Sequence, residues 1–334
     1  MRPRYAHPCP FREPNTFWYN RGVSADHWQI GIRRVAKTTS YIEPVLIEDE
    51  PSFESMLDVL WREPAIGVDT EGNSLYRYHE RVCLIQLSSR DRDYVVDSLA
   101  VDVRSLGELF ASPRVEKVFH AGRYDVACLK RDYGFEFARL FDTMIASRLL
   151  GNKHLGLANV LRTHFGISLD KQHQRGDWSQ RPLSVEQLRY AASDSHYLLK
   201  LRQVLQERLA RRGRLQEARE RFEALCRLEI EQKRFDPNGY LAIHEAEILD
   251  EEGLAVLREL YLWRENVAEA LDTPPFRVVR SRLLVMMAAL RPASRRALEL
   301  VVGSKGGEVL ERSDEVLAAI KRGTGASAPA RGHR

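Results

Sequence analysis

The sequence predicts a mixed α/β sheet flanked by helices, followed by a second, all-helical part. Short apolar runs rich in β-branched residues are separated by polar turns over residues 65–141, and helical stretches lie between them. Beyond about residue 205 the pattern becomes wholly helical. A chain of 334 residues also exceeds a usual single core, so more than one domain is expected.

Three strands are predicted at the start of the sheet. Ala65–Glu71 begins apolar after Pro64, and Val82–Leu87 and Asp93–Val96 follow with a polar turn between them. Because so short a connection joins antiparallel neighbours, we expect these strands to form an antiparallel meander.

Helices and strands then alternate. The pattern predicts a helix over Val103–Phe110, a strand over Val115–Phe119, a helix over Tyr124–Arg131 and a strand over Ala138–Phe141. One long helix is predicted from Ser184 to about Arg208. Its start has the spacing of a capping box, with Gln187 three residues after Ser184.

Acidic side chains occupy special positions of these elements. Asp69 and Glu71 lie two apart on a predicted strand, so they face the same side of the sheet. Tyr190 and Asp194 lie four apart on a predicted helix and share one face of it. Asp125 lies at the start of another helix, directly after a strand. If the three segments converge, four carboxylates and a phenol meet.

Such a cluster requires a counter-charge, because neighbouring carboxylates raise one another's pKa and burial adds to that cost. Hard oxygen ligands with no His or Cys nearby favour Mg²⁺ or Mn²⁺ over Zn²⁺. Two such ions, roughly 3.5–4 Å apart, stabilise the attacking and leaving oxygens of a displacement at phosphorus. The sequence therefore predicts a two-metal phosphodiesterase site.

The three acidic segments resemble the exonuclease motifs of the DEDD superfamily, and Tyr190 resembles the tyrosine of its DEDDy branch. Over residues 45 to 205 the chain is similar to the ribonuclease D family in particular. Further matching segments are Phe141–Leu150, Leu155–Leu161, Leu169–Lys171 with Gln174, Asp177–Trp178 and Arg181–Leu183. The resemblance implies a ribonuclease H-like fold. It also implies a 3′→5′ exoribonuclease that trims tRNA precursors and other structured RNAs and releases nucleoside 5′-monophosphates.

The resemblance further implies a role for each acidic residue. Asp69, Glu71 and Asp194 would hold the first divalent ion, Mg²⁺ or Mn²⁺. Asp69 would bridge to a second ion, which Asp125 would support. Glu71 would also contact the terminal 3′-hydroxyl. Tyr190 would orient the attacking water rather than remove its proton, because a phenol with a pKa near 10 is a poor base at neutral pH. No organic cofactor is expected.

Other polar residues near these motifs have two interpretations. Asn73 and Gln86 would face the terminal nucleotide, or else be exposed polar residues of a strand or loop. His120 would lie near bound nucleic acid, but a packed, hydrogen-bonded histidine is favoured over a metal ligand. Asp142 is predicted as a helix N-cap. The residues expected to grip a single-stranded RNA end beside the groove are Lys171, Gln174 and Arg175.

The C-terminal part is predicted to be helical in two stages. Residues 209–248 are predicted as a helical connector, and the Arg- and Glu-rich stretch from Arg208 to Arg234 is expected to be solvated. Residues 249–322 resemble an HRDC domain, and their Leu and Met spacing indicates a helix core. The resemblance implies nucleic-acid binding, with phosphate contacts from Arg277, Arg280 and Arg282; the alternative is an ordinary solvated helical face.

The terminal segments and the composition limit the domain bounds, the cellular location and the partners that can be expected. Residues 1–40 are predicted as an extension of unknown role, residues 41–208 as the exonuclease domain, and residues 323–334 as a disordered tail. A net charge of +4 means that any basic surface is local. No apolar run of signal-peptide or membrane length is found, and the four cysteines lack metal-site spacing. We therefore expect a cytoplasmic protein that binds RNA and no membrane.

Two other functions stay open at this stage. The first is a 3′→5′ exonuclease that acts on DNA in repair, with the same chemistry but a different sugar preference. The second is a non-catalytic RNA-binding protein that keeps the fold and uses the HRDC-like region as its reader.

Overall fold

The computed structural model describes residues 43–170, 172–230, 235–303 and 306–326. The extension predicted for residues 1–40 lies outside the described residues, as do Lys171 and residues 327–334 of the predicted tail.

A six-stranded sheet forms the centre of the first domain, in the strand order β1-β4-β3-β2-β5-β6. The strands are β1 (Val45–Ile47), β2 (Ala65–Gly72), β3 (Val82–Ser88), β4 (Asp93–Asp97), β5 (Glu116–Phe119) and β6 (Leu140–Asp142). As predicted, β2, β3 and β4 form an antiparallel meander. The other pairings, β1 with β4, β2 with β5 and β5 with β6, are parallel. The prediction of a mixed sheet is confirmed.

Most strands lie where hydrophobic patterning predicted them. Every residue of β3 is buried, because helices cover both faces of the centre of the sheet. β1 was not predicted, since three residues are too few to show an alternation.

Helices flank the sheet and continue past it. They are α1 (Glu50–Leu60), α2 (Leu106–Ala111), α3 (Arg123–Tyr133), α4 (Thr143–Leu149), α5 (Leu157–Phe165), α6 (Val185–His196), α7 (Leu198–Arg211) and α8 (Leu215–Cys226). The helix predicted over residues 103–110 is a 3-10 turn, Val103–Ser105, followed by α2.

The helix predicted from Ser184 to about Arg208 is in fact two helices. Its capping box is confirmed: the Gln187 amide donates to Ser184 Oγ over 3.1 Å, and the Ser184 amide donates to Gln187 Oε1 over 2.9 Å. The break lies at Tyr197, whose backbone angles are φ −89° and ψ −3°. No Gly or Pro marks this position, so local sequence gave no sign of it.

The connector differs from its prediction at α8. This helix packs on the sheet, with Phe222 and Leu225 buried and the Phe141 and Phe222 ring centroids 4.7 Å apart. It therefore belongs to the first core, since its apolar stripe covers β6 instead of facing solvent. A turn follows at residues 236–239, where the Gly239 amide donates to the Asp236 carbonyl over 2.9 Å.

A second, all-helical core follows. Two 3-10 turns, Gly239–Ala242 and His244–Ile248, lead into it. Its helices are α9 (Glu251–Ala270), α10 (Pro275–Val278), α11 (Ser281–Leu290), α12 (Arg295–Val302), α13 (Gly307–Glu311) and α14 (Ser313–Gly323). Leu284 and Met287 are fully buried, as expected for helix-core positions. Within the described ranges, no helix has the length and hydrophobicity that crossing a bilayer requires.

Candidate active site

Strand β2 supplies two acidic side chains to the same face of the sheet. Asp69 is paired with Gln86 of β3 and Glu71 with Leu84, and the register shifts directly after Glu71. Because side chains two apart on a strand share a face, Asp69 and Glu71 project together.

Helix α6 brings a third carboxylate to this pair. Ligand oxygens of Asp69, Glu71 and Asp194 all lie within 4.8 Å of one another. The helix approaches β2 so closely that a Cβ at Gly67 would lie 2.6 Å from the Ser195 carbonyl oxygen. Glycine at this position therefore permits the approach that places Asp194 beside the strand.

Polar contacts fix α6 on the sheet. The Ser88 and Ser195 hydroxyls lie 2.7 Å apart, and the Ser88 hydroxyl donates to Asp93 Oδ1 over 2.6 Å. On the next residue of the helix, His196 Nδ1 lies 2.7 Å from Asp93 Oδ2. These contacts are made at the two residues that follow Asp194 and limit how far the helix can slide.

Asp125 lies in the first turn of α3 and is buried. Its Oδ1 accepts a hydrogen bond of 2.6 Å from the Thr70 hydroxyl, between the two acidic positions of β2. Asp125 is outside the tightest group of ligand oxygens, but it is one of the charges that raise the pKa of Asp69.

The turn before α3 is held by Asp142. Its Oδ1 accepts from the Ile145 amide over 2.8 Å, which confirms the predicted N-cap, and its Oδ2 accepts from the Gly122 amide over 2.8 Å. A Cβ at Gly122 would lie 2.5 Å from Phe119 Cβ, so the turn requires glycine. Asp142 thus orients the start of α3, where Asp125 lies.

Tyr190 lies one turn before Asp194 on α6. Its ring stacks on Trp178, with centroids 5.9 Å apart and planes at 26°, and His173 meets it edge-on at 6.1 Å. Burial raises the pKa of the Tyr190 phenol, and the neighbouring carboxylates raise it further. Tyr190 therefore stays protonated over the neutral pH range.

The carboxylates have strongly raised pKa values, first because of burial and then because of one another. The pKa of Glu71 rises to about 9 and that of Asp194 to about 7. The pKa of Asp125 rises to about 6, although the Thr70 hydrogen bond opposes the shift. The pKa of Asp69 is also raised, by burial and by the other three carboxylates.

This donor set fits a hard divalent cation. The close group consists of carboxylate oxygens, with no Cys or His of the described ranges among its members. A bound cation would offset the repulsion that raises these pKa values. The structure brings three of the four expected carboxylates into one close group, and Asp125 lies beside it, bonded to Thr70.

The cluster opens into a groove of about 490 Å³. Asp69, Glu71, Tyr190 and Asp194 line it. Its apolar walls include Leu75, Tyr124, Met144, Leu157 and Trp178. Among the residues that the structure describes, no Lys or Arg lines the groove.

Not all predicted neighbours reach this groove. His120 and Gln174 line it. His120 Nδ1 lies 2.8 Å from the Thr143 hydroxyl oxygen, and burial lowers the pKa of His120 to about 4, so its ring is neutral. Arg175 is exposed and outside the lining, and Lys171 lies outside the described residues.

Asn73 and Gln86 require a correction, because both are buried and neither lines the groove. The Asn73 side-chain oxygen accepts from the Arg81 amide over 2.8 Å and so closes the loop between β2 and β3. The side-chain amide of Gln86 is buried and has no hydrogen-bond partner among the described residues. The nearly continuous apolar run of β3 could have indicated that both faces of the strand are covered and that Gln86 is buried.

The three arginines of the helical domain that were predicted to contact phosphates lie in two different settings. Arg277 contacts the first domain: its Nε donates to the Leu75 carbonyl over 2.7 Å, which differs from the expected phosphate contact. Arg280 and Arg282 are exposed.

Sequence reasoning did not single out the apolar walls of the groove. Tyr124 is 55% exposed. Because it directly precedes Asp125 of an acidic motif, the sequence could have indicated that it lines the groove. Leu75, 41% exposed, lies in a loop without any pattern that would have indicated its position.

Comparison with known proteins agrees with this geometry. The family described as 3′-5′ exonuclease matches residues 44–210, and the HRDC domain family matches residues 253–320. Ribonuclease D of Gluconacetobacter diazotrophicus is 35% identical over 268 residues, which cover 79% of this chain and 68% of that protein.

Two solved structures are similar in fold and sequence. The catalytic core of RRP6 from Trypanosoma brucei superposes with a TM-score of 0.77 at 28% identity, covering 86% of this chain and 81% of that one. RNase D of Escherichia coli gives a TM-score of 0.66 at 28% identity, covering 84% and 75%. The chain belongs to the ribonuclease D family of 3′-5′ exonucleases and carries an HRDC domain after its exonuclease domain.

Proposed function

We propose that this exoribonuclease trims RNA from its 3′ end in the described groove and releases nucleoside 5′-monophosphates. The observation that carries the proposal is the convergence of Asp69, Glu71 and Asp194, from a strand and a helix far apart in sequence, within 4.8 Å. These residues open into a groove in a chain of an exonuclease family that depends on metal ions.

The carboxylates would hold two divalent ions, Mg²⁺ or Mn²⁺. Asp69, Glu71 and Asp194 would bind one, and Asp69 and Asp125 would bind the other. Bound there, the ions would activate water and stabilise the charge that develops at the scissile phosphate. The hydrogen bond from Thr70 supports the assignment of Asp125, because it fixes one oxygen and leaves the other as a ligand.

Tyr190 would position the attacking water. Its phenol stays protonated because burial and nearby carboxylates raise its pKa, so a role as general base is not supported. Stacking on Trp178 holds the ring beside Asp194, where the hydroxyl can orient a water molecule. Glu71 would also accept a hydrogen bond from the terminal 3′-hydroxyl.

The groove suits the last nucleotide of a single strand. Its volume of about 490 Å³ is in the range of small-ligand sites, and Tyr124 and Leu75 offer apolar surface to a base. No cationic side chain of the described ranges lines it, so the metal ions would supply the charge that a phosphate requires. Arg280 and Arg282 are candidates for contacts with phosphates outside the groove.

The natural substrates would be tRNA precursors and other structured RNAs with short 3′ tails. The related Escherichia coli enzyme is described as an exoribonuclease involved in structured RNA processing. A cytoplasmic location is proposed as well, in keeping with three buried free cysteines among the described residues.

The test is degradation of a 5′-labelled tRNA with a short 3′ extension, in Mg²⁺, Mn²⁺ or EDTA, beside a DNA oligonucleotide of matched length. Stepwise shortening of the RNA that requires metal is the expected result. Asp69→Asn should lower turnover by about 10³-fold or more, since it removes a metal ligand. Asp91→Asn, the same change at an exposed turn, serves as the matched control.

The other outcomes decide between the alternatives. Shortening of the DNA alone would assign the protein to DNA repair, and RNA of unchanged length would indicate a binding protein. Wild-type turnover by Asp69→Asn would contradict the assignment of the metal ligands.

A further inference from the structure

The loop that joins β2 to β3, residues 73–81, forms part of the groove wall and is called the rim loop below. It begins two residues after Glu71, and Ser74 and Leu75 line the groove. The Asn73 side chain closes its neck by accepting from the Arg81 amide over 2.8 Å. A shift of this loop would therefore occur close to Glu71, a proposed metal ligand.

The helical domain holds the rim loop by its backbone. Asp272, in the turn after α9, accepts from the amides of Tyr78 and His79 through the same oxygen, each over 3.2 Å. Arg277, at α10, donates to the Leu75 carbonyl over 2.7 Å. Backbone contacts of this kind fix the path of the loop whatever its side chains are.

Side chains add further contacts to the same interface, among them an ion pair of 3.8 Å between Arg77 and Asp272. The Arg277 guanidinium lies 4.2 Å from the centre of the Tyr76 ring, which is a cation–π distance. The Tyr78 hydroxyl donates to Glu265 Oε1 over 2.8 Å, on α9. Asp272 thus holds the part of the loop at Tyr78 and His79, and Arg277 holds the part at Leu75, next to the groove.

The rim loop also reaches the opposite wall. The Tyr76 hydroxyl donates to the Arg175 carbonyl over 2.6 Å, between Gln174 and Gly176, which both line the groove. The ring that Arg277 covers is therefore the same ring that ties the two walls together. One arginine of the helical domain contacts both the loop and this tie.

We propose that the helical domain acts on the exonuclease site directly, with Asp272 and Arg277 as positioning residues that set the rim loop and through it the groove. The inference rests on the proposed function and extends it, because an HRDC domain that only reads RNA would have no need to hold this loop. Release of the loop would displace Leu75 and loosen the grip on the terminal nucleotide.

The test compares a ribodinucleotide, which is short enough to occupy the groove alone, with a long RNA that has a single-stranded 3′ tail. Asp272→Ala and Arg277→Ala should lower kcat on both substrates, by roughly tenfold or more, because small misplacements at a reacting centre are costly. Asp272→Asn keeps an acceptor oxygen and should restore most of the rate. Lys321→Ala, which removes an exposed cation of α14 outside these contacts, is the matched control.

The opposite outcome is equally defined. If Asp272→Ala and Arg277→Ala leave the dinucleotide rate unchanged and only raise KM for the long RNA, the residues serve RNA binding and the inference is overturned. Thermal unfolding of each variant checks that the fold is intact.

Amide hydrogen exchange gives a second readout that does not depend on activity. The amides of Tyr78 and His79 should exchange faster in Asp272→Ala than in wild type, and Lys321→Ala should leave them unchanged. If wild type degrades neither substrate, the proposed function fails, while unchanged exchange in Asp272→Ala would overturn the inference on its own.

Discussion

At the scale of single residues, the paired carboxylates connect metal binding to pH. The pKa of Glu71 is raised to about 9 and that of Asp194 to about 7, so both carry protons in part at neutral pH when no cation is bound. Since a divalent ion binds the charged form, binding must release protons. We expect the affinity for Mn²⁺ to rise steadily from pH 6 to pH 9 in a calorimetric titration, and an affinity independent of pH would contradict these shifts.

The same shifts predict how the metal-free protein responds to pH. A carboxyl group whose pKa is higher in the folded state stabilises the fold fully below its unfolded pKa near 4, and that contribution is lost as pH rises through the folded pKa. For Asp194 the loss should occur between about pH 4 and pH 7. In EDTA, the Tm of wild type should therefore fall relative to that of Asp194→Asn over this range.

A rise of the wild-type Tm relative to the variant over the same range would show that Asp194 is stabilised in its charged form. Asp91→Asn, at an exposed turn, controls for the loss of one charge.

Tyr190→Phe separates positioning from proton transfer. The variant keeps the ring on Trp178 and loses the hydroxyl, so we expect kcat to fall by roughly 10- to 100-fold with little change in KM. Because the phenol does not titrate at neutral pH, the acidic limb of the pH–rate profile should keep its position. A limb that disappears in the variant would instead make Tyr190 the base.

At the scale of elements, the distance between α6 and β2 controls the site. A methyl group at Gly67 would lie 2.6 Å from the Ser195 carbonyl oxygen, so Gly67→Ala should push the helix and Asp194 away from the strand. We expect at least a tenfold loss in Mn²⁺ affinity, together with a loss of stability.

Gly213→Ala is the matched control for that variant. Gly213 has a φ of 65° and lies outside the groove, so the change should cost stability through backbone strain without lowering Mn²⁺ affinity. If Gly67→Ala and Gly213→Ala bind Mn²⁺ with equal affinity, close packing at Gly67 does not control the metal site.

Local pattern predicted the elements that carry the acidic side chains, because spacings of two on a strand and four on a helix are set by backbone geometry alone. It could also predict the N-cap at Asp142 and the capping box at Ser184, which depend on residues close in sequence. β1 and the break at Tyr197 could not be predicted in this way, since both are decided by packing between distant segments.

In the candidate site as well, features set by local sequence could be predicted and features set by packing between distant segments could not. Convergence of the three acidic segments follows from motif order, whereas the burial of Asn73 and the contact between Arg277 and Leu75 depend on how a loop closes and two domains meet. The pattern of α8 indicated a charged helix, but its few apolar residues lie on one stripe and complete the first core.

At the scale of the whole molecule, the acidic site and the exposed arginines of the helical domain are on different parts of the described chain. The net charge is +4, and no cationic side chain of the described ranges lines the groove. Exposed Arg280 and Arg282 lie in the helical domain. Long RNA would then be held partly outside the groove, while the metal ions serve the last phosphate.

The salt dependence of kcat/KM tests whether the exposed arginines contact phosphates of a long RNA. If Arg280 and Arg282 each contact a phosphate, replacing one with Ala should reduce the slope of log(kcat/KM) against log salt for a long tailed RNA by about 0.7. The ribodinucleotide rate should not respond. An unchanged slope in both variants would leave these arginines as an ordinary solvated face.

The most direct measurement for the whole site is a Mn²⁺ titration of wild type and Asp69→Asn, followed by calorimetry and electron paramagnetic resonance, with exonuclease activity measured on the same samples. We expect two coupled Mn²⁺ ions in wild type, loss of the coupled pair in Asp69→Asn, and RNA shortening only where the pair is present. Full activity with no bound pair, or an unchanged pair in Asp69→Asn, would contradict a two-metal exoribonuclease site built on these carboxylates.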